Sequence, residues 1–60
     1  MKVFTHIEYK WDYVIEARED GTLWFVFNDS TRHNEPVTTF DLAVCENCVM
    51  NGKWKVEIIE

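Results

Sequence analysis

Within the stretch Asp12–Phe27, two runs rich in aromatic and β-branched residues flank Glu19-Asp20-Gly21. Residues of these types favour the pleated surface of a β-sheet. Asp-Gly between two such runs is the strongest local signal for a hairpin, because glycine adopts the positive φ of the turn without steric cost. The segment Asp12–Phe27 therefore predicts a β-hairpin, around which the remaining elements are expected to pack.

The side chains distinguish two registers of this hairpin. A two-residue turn at Asp20-Gly21 would place Glu16 and Arg18 on the same face as the apolar residues of the second strand. A three-residue turn that includes Glu19 separates polar from apolar residues, and a slip of one residue would exchange the two faces. We therefore predict the three-residue turn. Its pairs are Ala17 with Leu23, Ile15 with Phe25, and Tyr13 with Phe27.

The same register gathers Trp24, Val14 and Val26 on the less apolar face of the hairpin. One expectation is that another strand or a helix edge covers them, since monomeric proteins rarely leave large apolar patches exposed. The alternative is that Trp24 lies on an exposed surface that binds a partner, because tryptophan is enriched at interface hot spots.

The remaining segments predict two further strands, a loop and a helix. Lys2–Tyr9 and Lys53–Glu60 alternate polar and apolar residues, as half-buried strands do. Asn28–Thr38 is dense in turn-forming residues and predicts a long loop, whereas Thr39–Asn51 carries apolar residues at helical spacing. The order β-β-β-α-β over residues 1–60 predicts a small single α+β domain, with a four-stranded, mostly antiparallel sheet and one helix packed on one face.

The predicted helix has signals at both ends. Thr38 or Thr39 is expected to cap it, with Asp41 in the first turn, where a carboxylate interacts favourably with the helix dipole. Asn51-Gly52 supplies the stop signal. One stripe of side chains is expected to lie on the sheet. It consists of Leu42, Cys45, Cys48 and Val49, broadened by Phe40 and Val44.

Charge and composition disfavour several classes of function. The 60-residue chain has 11 acidic against 6 basic residues, a net charge of −5, which disfavours nucleic-acid binding through phosphate contacts. No apolar run approaches the roughly 20 residues of a membrane span and no signal peptide is evident, so a cytoplasmic protein without membrane contact is expected. Three tryptophans, two tyrosines and four phenylalanines supply buried area, and forming a homodimer would stabilise so short a chain further.

Cys45 and Cys48 form the only motif with a recognised spacing. A Cys-x-x-Cys pair supplies half of a zinc site, and His33 or His6 would contribute the rest. Redox pairs start a helix and zinc pairs usually occupy a turn, whereas this pair lies within the predicted helix. The favoured interpretation is two reduced thiols packed in the core. The alternative is a small zinc-stabilised domain that uses Cys45, Cys48 and His33.

No constellation of residues predicts catalysis. No serine or cysteine has a histidine and an acid at a fixed spacing, and the chain has no glycine-rich phosphate loop. So short a chain also has little room for a concave pocket of about 300 Å³ or more lined by catalytic groups. We therefore expect neither enzymatic activity nor a cofactor.

In size and composition, the chain resembles many phage-encoded proteins that bind and inhibit a host factor. The resemblance involves no motif and so assigns no residue. It implies a small acidic non-enzymatic protein-binding domain, an inhibitor of a host or defence protein. The hairpin and the Asn28–Glu35 loop are expected to contact the partner, through Trp24, Val26, Glu16, Arg18, Asp29, Arg32 and His33.

A further hypothesis uses the carboxylates in the first half of the chain. A spaced row of carboxylates imitates nucleic-acid phosphates and blocks the basic groove of a DNA-binding protein. Lys10, Arg18 and Arg32 interrupt the row, which weakens the hypothesis of an acidic nucleic-acid mimic. The carboxylates are those of Glu8, Asp12, Glu16, Glu19, Asp20 and Asp29.

Overall fold

The computed structural model, which describes residues 1–60, contains five strands and one helix. The elements are β1 (Lys2–His6), β2 (Tyr13–Ala17), β3 (Leu23–Phe27), β4 (Glu35–Pro36), α1 (Leu42–Met50) and β5 (Trp54–Ile58). They form one sheet in the order β4-β3-β2-β1-β5, and every neighbouring pair is antiparallel. The predicted α+β class is confirmed, with one correction: the sheet has five strands rather than four.

The hairpin of β2 and β3 adopts the predicted register. Ala17 lies opposite Leu23 and Ile15 opposite Phe25, as polarity segregation requires. The backbone N–H of Arg18 donates to the carbonyl of Thr22 at 2.9 Å, which closes the turn over the three residues between them. Gly21 has a φ of 87°, the left-handed conformation that favours glycine in such turns.

The additional strand β4 comes from the segment predicted to be a loop. Pro36 lies opposite Trp24, and the N–H of the following Val37 donates to the carbonyl of Leu23 at 2.9 Å. A two-residue strand that contains proline has no alternation to detect, which explains why the sequence pattern missed it. Since Val37 directs its N–H toward β3, the proline nitrogen faces away from the sheet, and its missing hydrogen costs no ladder bond.

The helix is shorter than predicted, because Asp41 caps it. The Asp41 side chain accepts a hydrogen bond from the N–H of Val44 at 3.2 Å, so α1 begins at Leu42. The expected caps at Thr38 or Thr39, and the expected first-turn position of Asp41, are therefore wrong. The predicted stop is confirmed, since the C-cap is Asn51 and Gly52 follows with a φ of 76°.

The buried core lies between α1 and one face of the sheet. It consists of Phe4, Ile15, Ala17, Leu23 and Cys45. Val49 packs against this core, but Leu42 and Val44 of the predicted stripe are 39% and 44% exposed. The stripe prediction was too broad, because so short a helix turns few of its side chains toward the sheet.

A closed set of aromatic rings extends the core beyond these fully buried residues. The indole of Trp11 stacks on Tyr13 at 4.9 Å between ring centroids and meets the edge of Trp54 at 5.1 Å. Tyr13 contacts Phe25 at 5.2 Å, and Phe40 bridges Phe25 and Trp54, with centroids 6.2 Å from each. Most of these contacts are edge-to-face, the geometry that the ring quadrupoles favour.

The first and last strands of the chain, β1 and β5, are shorter than their patterns suggested. β1 stops at His6 rather than Tyr9, because Nδ1 of His6 accepts hydrogen bonds from the N–H groups of Glu8 and Tyr9 and so turns the chain. β5 ends at Ile58 and forms an edge of the sheet. Of the apolar residues expected to be buried there, Val56 and Ile58 are 40% and 68% exposed.

The cap assignment predicts that Asp41→Ala destabilises the protein while Asp41→Asn does not. Losing an N-cap side chain costs about 1 kcal/mol of unfolding free energy, whereas asparagine caps as well as aspartate. Urea denaturation followed by circular dichroism measures both variants. Equal unfolding midpoints for the alanine and asparagine variants would contradict the assignment.

Candidate binding surface

One face of the sheet is left without a covering layer, and we call it the open face. The only helix packs on the opposite face, through Cys45. No helix or second sheet lies over Trp24, Val14 and Val26, although all three residues are half-buried. Alternate residues of a strand share a face, so the pairing of the strands shows which residues lie on the open face. The strand residues of the open face are Val3, Thr5, Val14, Glu16, Trp24, Val26, Pro36, Lys55 and Glu57, and Arg18 joins them over the Trp24 ring.

Trp24 is half-buried on the open face and is held in a fixed orientation. Its indole Nε1–H donates to Oγ1 of Thr22 at 2.9 Å, and that hydroxyl donates to Oδ1 of Asp20 at 2.6 Å. These hydrogen bonds from Thr22 lower the pKa of the Asp20 carboxyl. The turn of the hairpin thus orients the indole of Trp24 in the unbound protein.

Charged side chains border the indole on the same face. The guanidinium of Arg18 lies 4.7 Å from the centre of the Trp24 ring, a cation–π distance. Nε of Arg18 also contacts Oε1 of Glu16 at 3.2 Å, and Glu16 lies opposite Trp24 in the ladder. Beside this group, Val14 and Val26 face each other across β2 and β3. Trp24, Val26, Glu16 and Arg18, all predicted to bind a partner, are therefore brought together.

The three predicted residues of the loop lie outside this cluster. Oδ1 of Asp29 accepts hydrogen bonds from the N–H and hydroxyl of Thr31 at 2.9 and 2.8 Å, which lower the pKa of Asp29. Arg32 lies 3.7 Å from the ring centre of Phe27 and pairs with Asp12 at 3.0 Å. His33 is exposed. Asp29 and Arg32 therefore order their own loop, and a contact of these three residues with a partner stays a prediction.

The turn residues that orient Trp24 were missed by the sequence analysis. Asp20-Gly21-Thr22 and Asp29-Ser30-Thr31 share the pattern Asp-x-Thr, and in both the aspartate accepts two hydrogen bonds from the threonine. That repeated pattern was visible in the sequence as a signal for local side-chain hydrogen bonds. What it did not show is that Thr22 also accepts from the indole of a residue on the open face.

A shallow depression of about 280 Å³ lies at the other end of the open face. Thr5 and Val14 form part of its floor, and Tyr9, Lys10 and Lys55 form part of its wall. Ligand pockets for small molecules usually occupy about 300–1,000 Å³ and are mostly apolar. The size and mixed lining of this depression suit one side chain of a partner better than an enclosed ligand.

The two cysteines have different environments. Cys45 is fully buried, and desolvation raises the pKa of its thiol to about 11. Cys48 is partly buried, and neither cysteine forms a disulfide. No three His, Cys, Asp or Glu side chains lie close enough together to hold a metal ion. The zinc hypothesis for Cys45, Cys48 and His33 thus gains no support from the geometry.

Comparison of the chain with protein-family models, curated proteins and solved structures finds no match. The helix is too short to cross a lipid bilayer.

The Cys45 environment predicts slow reaction with thiol reagents. A pKa of about 11, against the usual 9.0, lowers the thiolate fraction at pH 8 roughly a hundredfold, and the thiolate is the reactive form. A Cys48→Ala variant removes a neighbour that contributes to this rise in pKa but leaves Cys45 buried, so Ellman's reagent should still react with Cys45 much more slowly in the folded protein than in urea. Cys45→Ala, which retains Cys48, is the matched control. Similar rates in folded and unfolded Cys48→Ala protein would show that Cys45 is accessible.

Proposed function

We propose that this chain is a non-enzymatic protein-binding domain that contacts its partner through the open face around Trp24. The observation that carries the proposal is a tryptophan fixed by hydrogen bonds on a sheet face that no other element covers. Preorganised side chains lose little conformational entropy on binding, so more of the contact energy contributes to affinity. An unbound protein gains little from holding a surface indole in one orientation.

The composition of the surface supports a protein partner. Tryptophan and arginine are the residue types most enriched at interface hot spots, and Arg18 stacks on Trp24 here. The adjacent pair of Val14 and Val26 supplies apolar area, and Glu16 lies opposite Trp24 in the ladder. An apolar centre with charged groups around it is the usual anatomy of a protein–protein interface.

The charges of the open face favour a protein over a nucleic acid. Glu16 and Glu57 are balanced by Arg18 and Lys55 on the same face. Phosphate contact requires a surface with clear excess of positive charge, which this face lacks. Acidic mimicry would require a row of free carboxylates, whereas Glu16 is paired with Arg18. The mimic hypothesis gains no support from this pairing and stays a prediction.

Inhibition of a host or defence protein is the specific form of this proposal. A small domain that presents one preorganised face acts by occupying a surface that its partner needs. Size and composition support this form, through the resemblance to phage-encoded inhibitors. The loop residues Asp29, Arg32 and His33 would then extend the contact beyond the hairpin.

Trp24→Ala is expected to abolish capture of the partner from a lysate of the source organism. Removing a hot-spot tryptophan weakens binding by at least about 30-fold. Leu42→Ala is the matched control, because Leu42 is a partly exposed apolar residue of α1, on the covered side of the sheet. Mass spectrometry of the material retained by the wild type and both variants, at low and high salt, measures the effect.

A partner retained equally by the wild type and by folded Trp24→Ala would reject the role of Trp24. Retention that falls steeply with salt, on a nucleic-acid-binding protein, would instead favour acidic mimicry, because salt screens exposed charges. Capture by the wild type and Leu42→Ala but not by Trp24→Ala, at both salt concentrations, would support the proposal. Circular dichroism of each variant separates lost binding from lost folding.

A further inference from the structure

The two edges of the sheet differ in how they are protected. At one edge, β4 is only two residues long and contains Pro36, which limits further strand pairing. At the other edge, β5 runs for five residues without proline or glycine. The unpaired N–H and C=O groups of such an edge are a template for pairing with another strand, and the only features of β5 that oppose pairing are the charges of Lys55 and Glu57.

The hydrogen bonds to β1 show which backbone groups of β5 are free. The carbonyl of Lys53 accepts from Ile7, and the N–H of Ile59 donates to Met1. Because successive residues of a strand direct their backbone groups to opposite sides, residues 53, 55, 57 and 59 face β1. The N–H and C=O groups of Trp54, Val56 and Ile58 therefore face outward, where no other element of the fold pairs with them.

Apolar side chains accompany these free backbone groups. Val56 and Ile58 are 40% and 68% exposed on the helix side of β5. Met50, the last residue of α1, is 84% exposed, and it lines an apolar groove with Val56 and Val49. The edge thus offers apolar contact beside the backbone hydrogen bonds.

We propose that this edge binds a second copy of the same chain, with the two β5 strands antiparallel and centred on Val56. In that register Val56 meets Val56 of the second copy, and Trp54 meets its Ile58. Both pairs consist of residues whose backbone groups face outward, so each pair exchanges two hydrogen bonds. The arrangement is a two-fold symmetric interface, in which each residue contact occurs twice or lies on the axis.

Charge selects this register over its neighbours. With Val56 at the centre, Lys55 of each copy lies opposite Glu57 of the other, on the open-face side of the sheet. A shift by two residues in one direction would place Lys55 opposite Lys55, and a shift in the other would place Glu57 opposite Glu57. Opposite charges directly across a ladder stabilise it, and like charges destabilise it. Centred on Lys55, the edge would also place Lys53 opposite Glu57. The register centred on Val56 is favoured because it alone pairs opposite charges without a like-charge pair.

This dimer leaves the proposed partner surface free and duplicates it. The two-fold axis of an antiparallel strand pair stands perpendicular to the sheet, so both open faces point the same way. Trp24 lies on β3, which is separated from the β5 edge by β2 and β1. Two identical surfaces on one side would allow bivalent binding to a symmetric partner. The dimer does not depend on the proposed function, since it is centred on β5, whose open-face residues Lys55 and Glu57 are separated from Trp24 by β1 and β2.

Sedimentation equilibrium of the full chain from micromolar to millimolar concentration tests the proposal. The expected result is a shift from the 7.2 kDa monomer toward twice that mass as concentration rises. Val56→Pro should remain monomeric, because it removes an outward N–H. The β1–β5 ladder should survive this change, since its hydrogen bonds use the inward residues.

A charge exchange tests the register. Glu57→Lys and Lys55→Glu each place like charges opposite one another at two symmetry-related positions, and each should raise the dimer dissociation constant about tenfold. The double variant Lys55→Glu/Glu57→Lys restores opposite charges and should recover the wild-type constant. Near-ultraviolet circular dichroism verifies that every variant is folded.

Three outcomes would overturn the proposal. The first is a wild-type protein that stays monomeric at every concentration measured. The β5 edge would then be open to pairing with a strand of a different protein. The second is a folded Val56→Pro variant that dimerises as well as the wild type. The third is a double charge variant that is no tighter than the single variants. Dimerisation that Val56→Pro abolishes and the double variant restores would support it.

Discussion

The structure depends on one constraint: a single helix of nine residues must cover a five-stranded sheet. Such a helix is about 14 Å long, shorter than the sheet is wide, and it has one face to bury. Cys45 packs over Phe4 and Ile15, where the three side chains are almost completely buried. The parts of the sheet that the helix does not reach are covered by other side chains or exposed to solvent.

The two faces of the sheet differ in how the side chains that the helix does not reach are covered. On the helix side, the rings of Trp11, Tyr13 and Trp54 contact one another and continue the apolar layer, so large side chains replace missing secondary structure. On the open face there is no second layer, and Trp24 is instead held by Thr22 and covered by Arg18. The indole therefore stays ordered while its surroundings remain accessible to a partner.

The uncovered parts of the molecule differ in chemistry, which separates their proposed roles. The open face presents fixed side chains of mixed charge around an indole, a surface suited to a specific partner. The β5 edge presents backbone groups and the exposed Val56 and Ile58, and its charges complement those of a second copy. Both follow from a chain with too few residues to close its own sheet on every side.

The sequence by itself determined the hairpin, its register and the order of the major elements. Those features rest on local chemistry: Gly21 permits the turn, and alternation assigns Ile15 and Phe25 to one face. Local patterns did not reveal that Asp41 caps the helix or that Pro36 joins the sheet. Only the tertiary structure decided that Val56 is exposed and that the sheet face of Trp24 has no second layer, because burial depends on which elements are long enough to reach a face.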